Sequence, residues 1–426
     1  MYLDTGHHLS YCTNIHPGET WAEVFQQLKT YLPPLKQKLS PERPFGIGLR
    51  LSNLASEELL QGNQLQEFRQ WLQEQDLYVF TMNGFPYGGF HHQAVKDDVH
   101  KPDWTTQERL EYTKRLAHIL AELLPEGMEG GISTSPLSYK LWFPKEETSK
   151  IKSAFSTATD HLVSLVETLL QLKADTSKTI HIDIEPEPDG LLENSDEFIS
   201  YYREWLLPAA EKALSESRGL SKEEARTAVL QHIQLCYDVC HFALAYEKPA
   251  EVFAKIRKAG ISIGKIQLSA ALKTDLPKDV EMRGELAGTL ARFAESTYLH
   301  QVVERGDDGK LTQYPDLPLA LEHIRKPNAV EWRTHFHVPL FTQTYSGLAS
   351  TQQDIVEVLQ YIQQEPLTQH LEVETYTWDV LPEDMKKELS ESIQRELEWV
   401  LSTINATEHA ENGRTGHRRA HTATPR

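Results

Sequence analysis

The chain reads as an α/β protein that closes into a single (β/α)8 TIM barrel. Three observations predict this. Short runs of strand character recur between longer helix-patterned segments, and eight of them can be placed along the chain. The segments between them carry their apolar residues on one helical face. Several apolar runs end in acidic or amide residues, as barrel strands do where they hand side chains to the mouth.

In order, the strands expected are HHLSYCTN near His7, FGIGLRLS from Phe45, LYVFTMNG from Leu77, GGISTSP from Gly130, TIHIDIEP from Thr179, IQLCYDVC from Ile233, IGKIQLSAAL from Ile263 and LEVETYTW from Leu371. Between them, Trp21, Val24, Phe25, Leu28 and Tyr31 fall on one helical face. Leu59, Leu65, Phe68 and Leu72 do the same, as do Phe155, Leu162, Leu165, Val166 and Leu169. A helical pattern over Glu383 to Ile404 closes the ring after the last strand. A ninth strand-like run, WRTHFHVPLF from Trp332, follows a polar stretch, ERGDDGKLTQ, that reads as a hairpin or excursion. Eight strands complete the barrel, so this region is expected to be an insertion between strands 7 and 8, passing over the mouth. Residues 1–406 form one domain on this reading. The segment 407–426 lacks large apolar residues, has four Arg against two Glu, and is expected to be disordered.

The chain of 426 residues is 39% hydrophobic, enough for a sizeable core, and no window approaches the roughly 18 uninterrupted apolar residues of a membrane span. Its start, MYLDTGHHLSYC, lacks the basic and apolar regions of a signal peptide, which points to the cytoplasm. A formal charge of −19 repels phosphate backbones and anionic lipid. The expected partner is therefore a small-molecule substrate, with no nucleic acid and no direct membrane insertion. Cys12, Cys236 and Cys240 are too few and too scattered for a disulfide framework.

The strand ends carry the chemistry. Glu185 closes the fifth strand, Asp238 and His241 the sixth, Gln267 the seventh, and Glu374 lies late in the eighth. Any one of these alone is more often a solvated or helix-capping residue. Their consecutive order is the signal, because buried carboxylates without compensation cost several kcal/mol per ion unless a cation sits among them. Glu185, Asp238, Gln267 and Glu374 are the expected metal ligands. Three carboxylates and an amide favour Mg2+ or Mn2+, imidazole shifts the balance toward Zn2+ or Mn2+, and Mn2+ satisfies both. Glu187, two residues past Glu185, points to the same side and suits acid/base or substrate contact. His335 and His337 share a face if their segment is extended, and Arg333 has the same parity and suits a substrate hydroxyl or phosphate. The loop MNGFPYGGFHH offers Phe85, Tyr87 and Phe90 as an apolar wall or lid.

This motif order resembles the xylose-isomerase-like TIM-barrel superfamily, where a Glu after the fifth strand, Asp-x-x-His after the sixth, usually a His after the seventh and a Glu after the eighth hold the metal. The resemblance implies the same roles for Glu185, Asp238 with His241, Gln267 and Glu374. Gln267 departs from the pattern, and an amide oxygen binds more weakly than imidazole binds zinc. Glu187 stands where xylose isomerases carry the Lys of Glu-Pro-Lys-Pro, which argues against a hydride shift. From about Met1 to Ala406 the chain is also similar to the family called metabolite traffic protein EboE, through GHHLSYCTNIHPGETW, PFGIGLRLS, YVFTMNGFPYGGFHHQAVKDDVHKPDW, STSPLSYK, HIDIEPEPDG, HFHVPLF and VETYTWDVLP. That resemblance implies a bacterial gene cluster linked to export of a secondary-metabolite precursor, with other proteins of the cluster as partners. It implies no reaction.

The expected function is that of a metal-dependent isomerase or epimerase acting by proton transfer on a hydroxy-carbonyl or polyol substrate. Glu185 and Glu374 are the catalytic base and acid, and His241 and Arg333 orient hydroxyls. A binding or carrier protein on the same barrel is the alternative. Phosphodiester cleavage is disfavoured by the acidic charge.

Overall fold

The computed structural model describes residues 1–89, 91, 94–144, 146–345, 347–378, 381 and 387–419. Seven strands come first: β1 (His8–Tyr11), β2 (Phe45–Arg50), β3 (Leu77–Asn83), β4 (Glu129–Thr134), β5 (Thr179–Ile184), β6 (Ile233–Asp238) and β7 (Ile263–Leu268). Six more follow: β8 (Leu272–Asp275), β9 (Val302–Gly306), β10 (Leu311–Tyr314), β11 (Ala329–Thr334), β12 (Thr344–Tyr345) and β13 (Leu348–Ser350). The last is β14 (His370–Val373). All eight runs expected to build the barrel do so, in the order β1-β14-β7-β6-β5-β4-β3-β2, with every ladder parallel.

The ring closes between β1 and β2 by a different device. Ser10 Oγ donates to Gly46 O and accepts from Gly48 N, both at 2.9 Å, and Arg50 N donates to Thr13 Oγ1 at 2.8 Å. Hydroxyls thus stand in for rungs of the ladder, beside a single backbone bridge between Cys12 and Gly48.

Helices cover the barrel from outside. The predicted face of Trp21–Leu39 buries Trp21, Val24 and Leu28, and Thr20 and Glu23 form a capping box that starts the helix. Leu59 and Phe68, expected on one helix, belong to two, Asn53–Leu59 and Gln64–Glu74, because the chain turns at residues 60–63. The last helix, Leu389–Arg419, carries the pattern expected over 383–404, of which 383–386 lie outside the described residues. It continues into the segment 407–426, for which composition predicts no stable structure. No described helix is long and apolar enough to cross a membrane.

The insertion between β7 and β14 is a second, antiparallel sheet in the order β10-β9-β11-β8-β13-β12. The polar stretch ERGDDGKLTQ is the β9–β10 hairpin. The run from Trp332, expected as an extended connection, opens inside this sheet as the end of β11, paired on both sides. After Thr334 it leaves the sheet.

The barrel interior is polar, where branched apolar side chains usually fill such a space. Lys265 Nζ lies 2.8 Å from Glu372 Oε2, with both side chains fully buried. His181 Nδ1 lies 2.7 Å from Asp183 Oδ1. Room for these carboxylates comes from Gly48 and Gly264, where a Cβ would fall 1.8 Å from Glu372 Oε1 and Asp183 Oδ1 respectively.

Candidate metal centre

Above that interior, the carboxyl ends of β5, β6 and β14 bring Glu185, Asp238 and Glu374 together. Glu185 N donates to Thr134 O and Glu374 N to Leu268 O, so the ladders run one residue past their strands and fix these backbones. One oxygen from each carboxylate lies within 4.8 Å of the others, and all three residues are buried. Glu374 Oε1 accepts from Asn14 Nδ2 at 2.9 Å and Asn83 Nδ2 at 2.8 Å. Asp238 Oδ1 accepts from His241 N at 3.0 Å and Ser269 Oγ at 2.7 Å, while its buried Oδ2 has no partner.

Burial first, then the neighbouring Glu374, Asp238 and Glu187, pushes the Glu185 carboxyl well above the ordinary carboxylate range. Burial, then Asp238 and Glu372, does the same to Glu374. Like charges this close in a low-dielectric site ionise together only when a cation joins them. Three hard oxygens with one orphaned lone-pair donor among them fit a divalent cation.

Three histidines stand beside this trio. His241 Nδ1 lies 3.1 Å from Pro186 O, His335 Nδ1 2.8 Å from Gln301 Oε1, and His337 Nδ1 2.8 Å from Glu374 O. Gln301 Nε2 donates to Pro188 O, which turns its carbonyl toward His335. Each Nδ1 faces an oxygen that can only accept, so each Nδ1 carries a proton and each Nε2 is turned toward the site. The Nε2 atoms of His241 and His335 are 3.1 Å apart, and that of His337 is buried without a partner. Burial, then the adjacent rings of His241 and His337, holds His335 well below the usual imidazole range. Burial lowers His337 as well. Asp238 with His241 and His337, and Glu187 with His241 and His335, each gather ligand atoms within 4.8 Å. Carboxylate and imidazole sets therefore meet at Asp238.

Over both sets lies a cavity of about 580 Å³, open-solvent space at its mouth included. Glu185, Glu187, Glu374 and the three histidines line its base, and Phe85, Pro86, Val99, Tyr298 and Leu299 form an apolar wall.

Other expected residues go elsewhere. Gln267 is buried with Oε1 accepting from Cys236 Sγ at 2.9 Å, and that thiol lies 3.8 Å from Glu185 Oε2. The seventh-strand side chain that reaches the trio is Ser269. Arg333 is not brought to the cavity. Its Nε donates to Glu331 Oε1 and its Nη1 to Ala243 O, and the guanidinium covers the Tyr246 ring at 4.1 Å. Parity misplaced it because the extended backbone ends at Thr334, where Phe336 N turns back to Thr334 O. Tyr87 lines a neighbouring hollow, with its ring 5.0 Å from Tyr112. Phe90 and His92 lie outside the described residues.

Sequence reasoning missed Asn14, Asn83, Ser269 and His100. Asn83 ends β3 and Asn14 follows β1, so the strand-end rule, applied to amides on every strand, finds them. Lys96 also lines the cavity, but its Nζ is held by Asp316 Oδ2 at 2.8 Å and by two carbonyls.

By topology and site, the molecule is a (β/α)8 barrel protein with a carboxylate–histidine centre at the carboxyl ends of its strands. No protein-family model matches the chain, and no curated protein matches its sequence. Solved structures similar to it are xylose isomerase-like TIM barrels. One is from Mycobacterium smegmatis in complex with magnesium, at 10% identity over 96% of this chain and 99% of that one, with a TM-score of 0.49. Another is a xylose isomerase domain containing protein from Salmonella typhimurium, at 12% identity over 95% and 99%, with a TM-score of 0.46. A third is the IolI protein with a binding zinc atom, at 13% identity over 94% and 99%, with a TM-score of 0.44.

Proposed function

We propose that the protein is a metal-dependent isomerase or epimerase that moves a proton beside the carbonyl of a hydroxy-carbonyl or polyol compound. One observation carries this reading: Glu185, Asp238 and Glu374 converge, buried, within 4.8 Å, and Glu185 and Glu374 line a cavity that opens to solvent. A divalent cation bound there supplies a Lewis acid that polarises the substrate carbonyl. Glu185, Asp238 and Glu374 would hold it, with Mn2+ the best match to oxygen ligands beside imidazole and Mg2+ or Zn2+ the alternatives. Gln267 would join only by displacing its Cys236 contact.

Glu185 and Glu374 are the base and acid. His241 and Glu187 meet substrate hydroxyls, and Phe85 with its neighbours excludes water. The resemblance to the EboE family supports the finer reading, a step in the traffic of a secondary-metabolite precursor, carried out in the cytoplasm with other proteins of the same gene cluster.

The test is deuterium incorporation from solvent by the Mn2+-loaded protein across a panel of ketoses and hydroxy acids. Glu185→Gln is expected to lower the exchange by about 100-fold or more. Silence across the whole panel sinks the catalytic reading. A second reading, a carrier that keeps the barrel without turnover, is favoured by Gln267 in the seventh-strand ligand position. It predicts that Glu185→Gln still retains ligand.

A further inference from the structure

His100 ends the turn Lys96–His100, in the connection after β3, and is fully buried against the cavity. Its ring is fixed between Phe85, at 5.4 Å, and Tyr139, at 4.9 Å. Trp142 Nε1 donates to Asp97 Oδ2 at 2.6 Å and ties down the turn that carries it. Neither ring nitrogen has an aligned hydrogen-bond partner. Nε2 nevertheless lies 2.9 Å from Glu187 Oε1, off the line that a ring N–H bond needs. A buried imidazole left so is an exception that needs a reason, and catalytic hydrogen bonds often align only once substrate is present. Glu187 is buried too, lines the same cavity, and has its other oxygen 3.9 Å from His241 Nε2.

We propose that His100 and Glu187 form a second proton-transfer pair that serves the oxygen-bound protons of the substrate, while Glu185 and Glu374 serve the carbon-bound one. This rests on the catalytic reading above and makes it an isomerase, because epimerisation beside a carbonyl needs only the carbon-bound proton. Moving a carbonyl to the next carbon needs two transfers. The C–H bond of the hydroxyl-bearing carbon breaks, and its proton passes to a carboxylate of Glu185 or Glu374. The proton of that carbon's hydroxyl passes to Glu187, and the pair returns a proton to the former carbonyl oxygen. The carbon-bound proton is then restored at the adjacent carbon. No hydrogen or electron is gained or lost.

The test uses the full chain, loaded with Mn2+, in D2O with dihydroxyacetone, D-fructose and D-tagatose as probes. Two rates are read in one sample: deuterium wash-in to the unconverted ketose, and formation of the aldose. His100→Gln and Glu187→Gln are expected to cut the ratio of aldose formed to deuterium washed in by about 30-fold or more. Bound Mn2+ per chain and melting temperature should hold. Should His100→Gln melt early, Glu187→Gln alone decides. Equal loss of both rates at unchanged metal content, or no loss of aldose formation, overturns the pair. So does wild-type wash-in without any aldose, which leaves the catalytic reading standing as an epimerase. Wild-type silence in both rates removes the catalytic reading itself.

Discussion

Glu372 and Glu374 sit two residues apart on one strand end, both hidden from water, in opposite electrical surroundings. Glu372 has a counter-charge in Lys265; burial works against that ammonium more than any other one cause, but Glu372 and its other neighbours together offset it and raise its proton affinity. Glu374 faces Glu185 and Asp238, with the amides of Asn14 and Asn83 donating to it. Burial alone therefore does not mark a functional carboxylate. The interior pair is complete in itself, and the proposed cation would supply the charge that the mouth lacks.

The strongest way to break this contrast is to remove the interior cation. Lys265→Met leaves Glu372 buried and unpaired, which should cost about 3–5 kcal/mol, read as a fall in the urea midpoint. An unmoved midpoint would mean that Glu372 is not compensated by Lys265.

At the mouth, adding the missing charge should stabilise. Mn2+ at about 100 times its Kd is expected to contribute about 2.7 kcal/mol, seen as a rise in melting temperature. The effect has a pH signature. Glu185 and Glu374 have raised carboxyl values in the folded chain, so the stability they give the metal-free protein is full below the ordinary 4.5 and is lost as pH climbs through the raised values. A cation displaces those protons, so the gain from Mn2+ should be larger at about pH 8 than at about pH 5. A gain flat in pH would place the cation away from this pair.

The smallest effect tests how the mouth is held. Ser269→Ala frees Asp238 Oδ1 from its 2.7 Å hydrogen bond and should weaken Mn2+ binding about 10- to 100-fold by titration calorimetry; it also takes the 3.0 Å acceptor from the buried Cys240 N, so the metal-free protein should lose about 1–3 kcal/mol. Unchanged affinity would show that Asp238 needs no such support.

Much of the barrel was legible because each strand is a short apolar run, and Glu185, Asp238 and Glu374 stand where those runs stop. The rest depended on contacts that no local pattern encodes. Lys265, inside IGKIQL, makes sense only beside Glu372, 107 positions away. His100, in KDDVHKPD, reads as a solvated loop until Phe85 and Tyr139 close over it. His335 and His337 were read as sharing a face, but their convergence on His241 comes from the chain leaving β11 after Thr334, a departure that also carries Arg333 out of reach. Of the six-stranded sheet of the insertion, the sequence shows the hairpin and the strand-like run from Trp332, and the remaining strands are too brief to stand out.

The seam between β1 and β2 has a consequence of its own. A hydroxyl can swing away from a carbonyl by a bond rotation, whereas a backbone rung parts only if the strand itself shifts. At this joint the cylinder is thus held largely by side chains, and Asn14, just past it, is one of the two residues whose amides hold Glu374 Oε1.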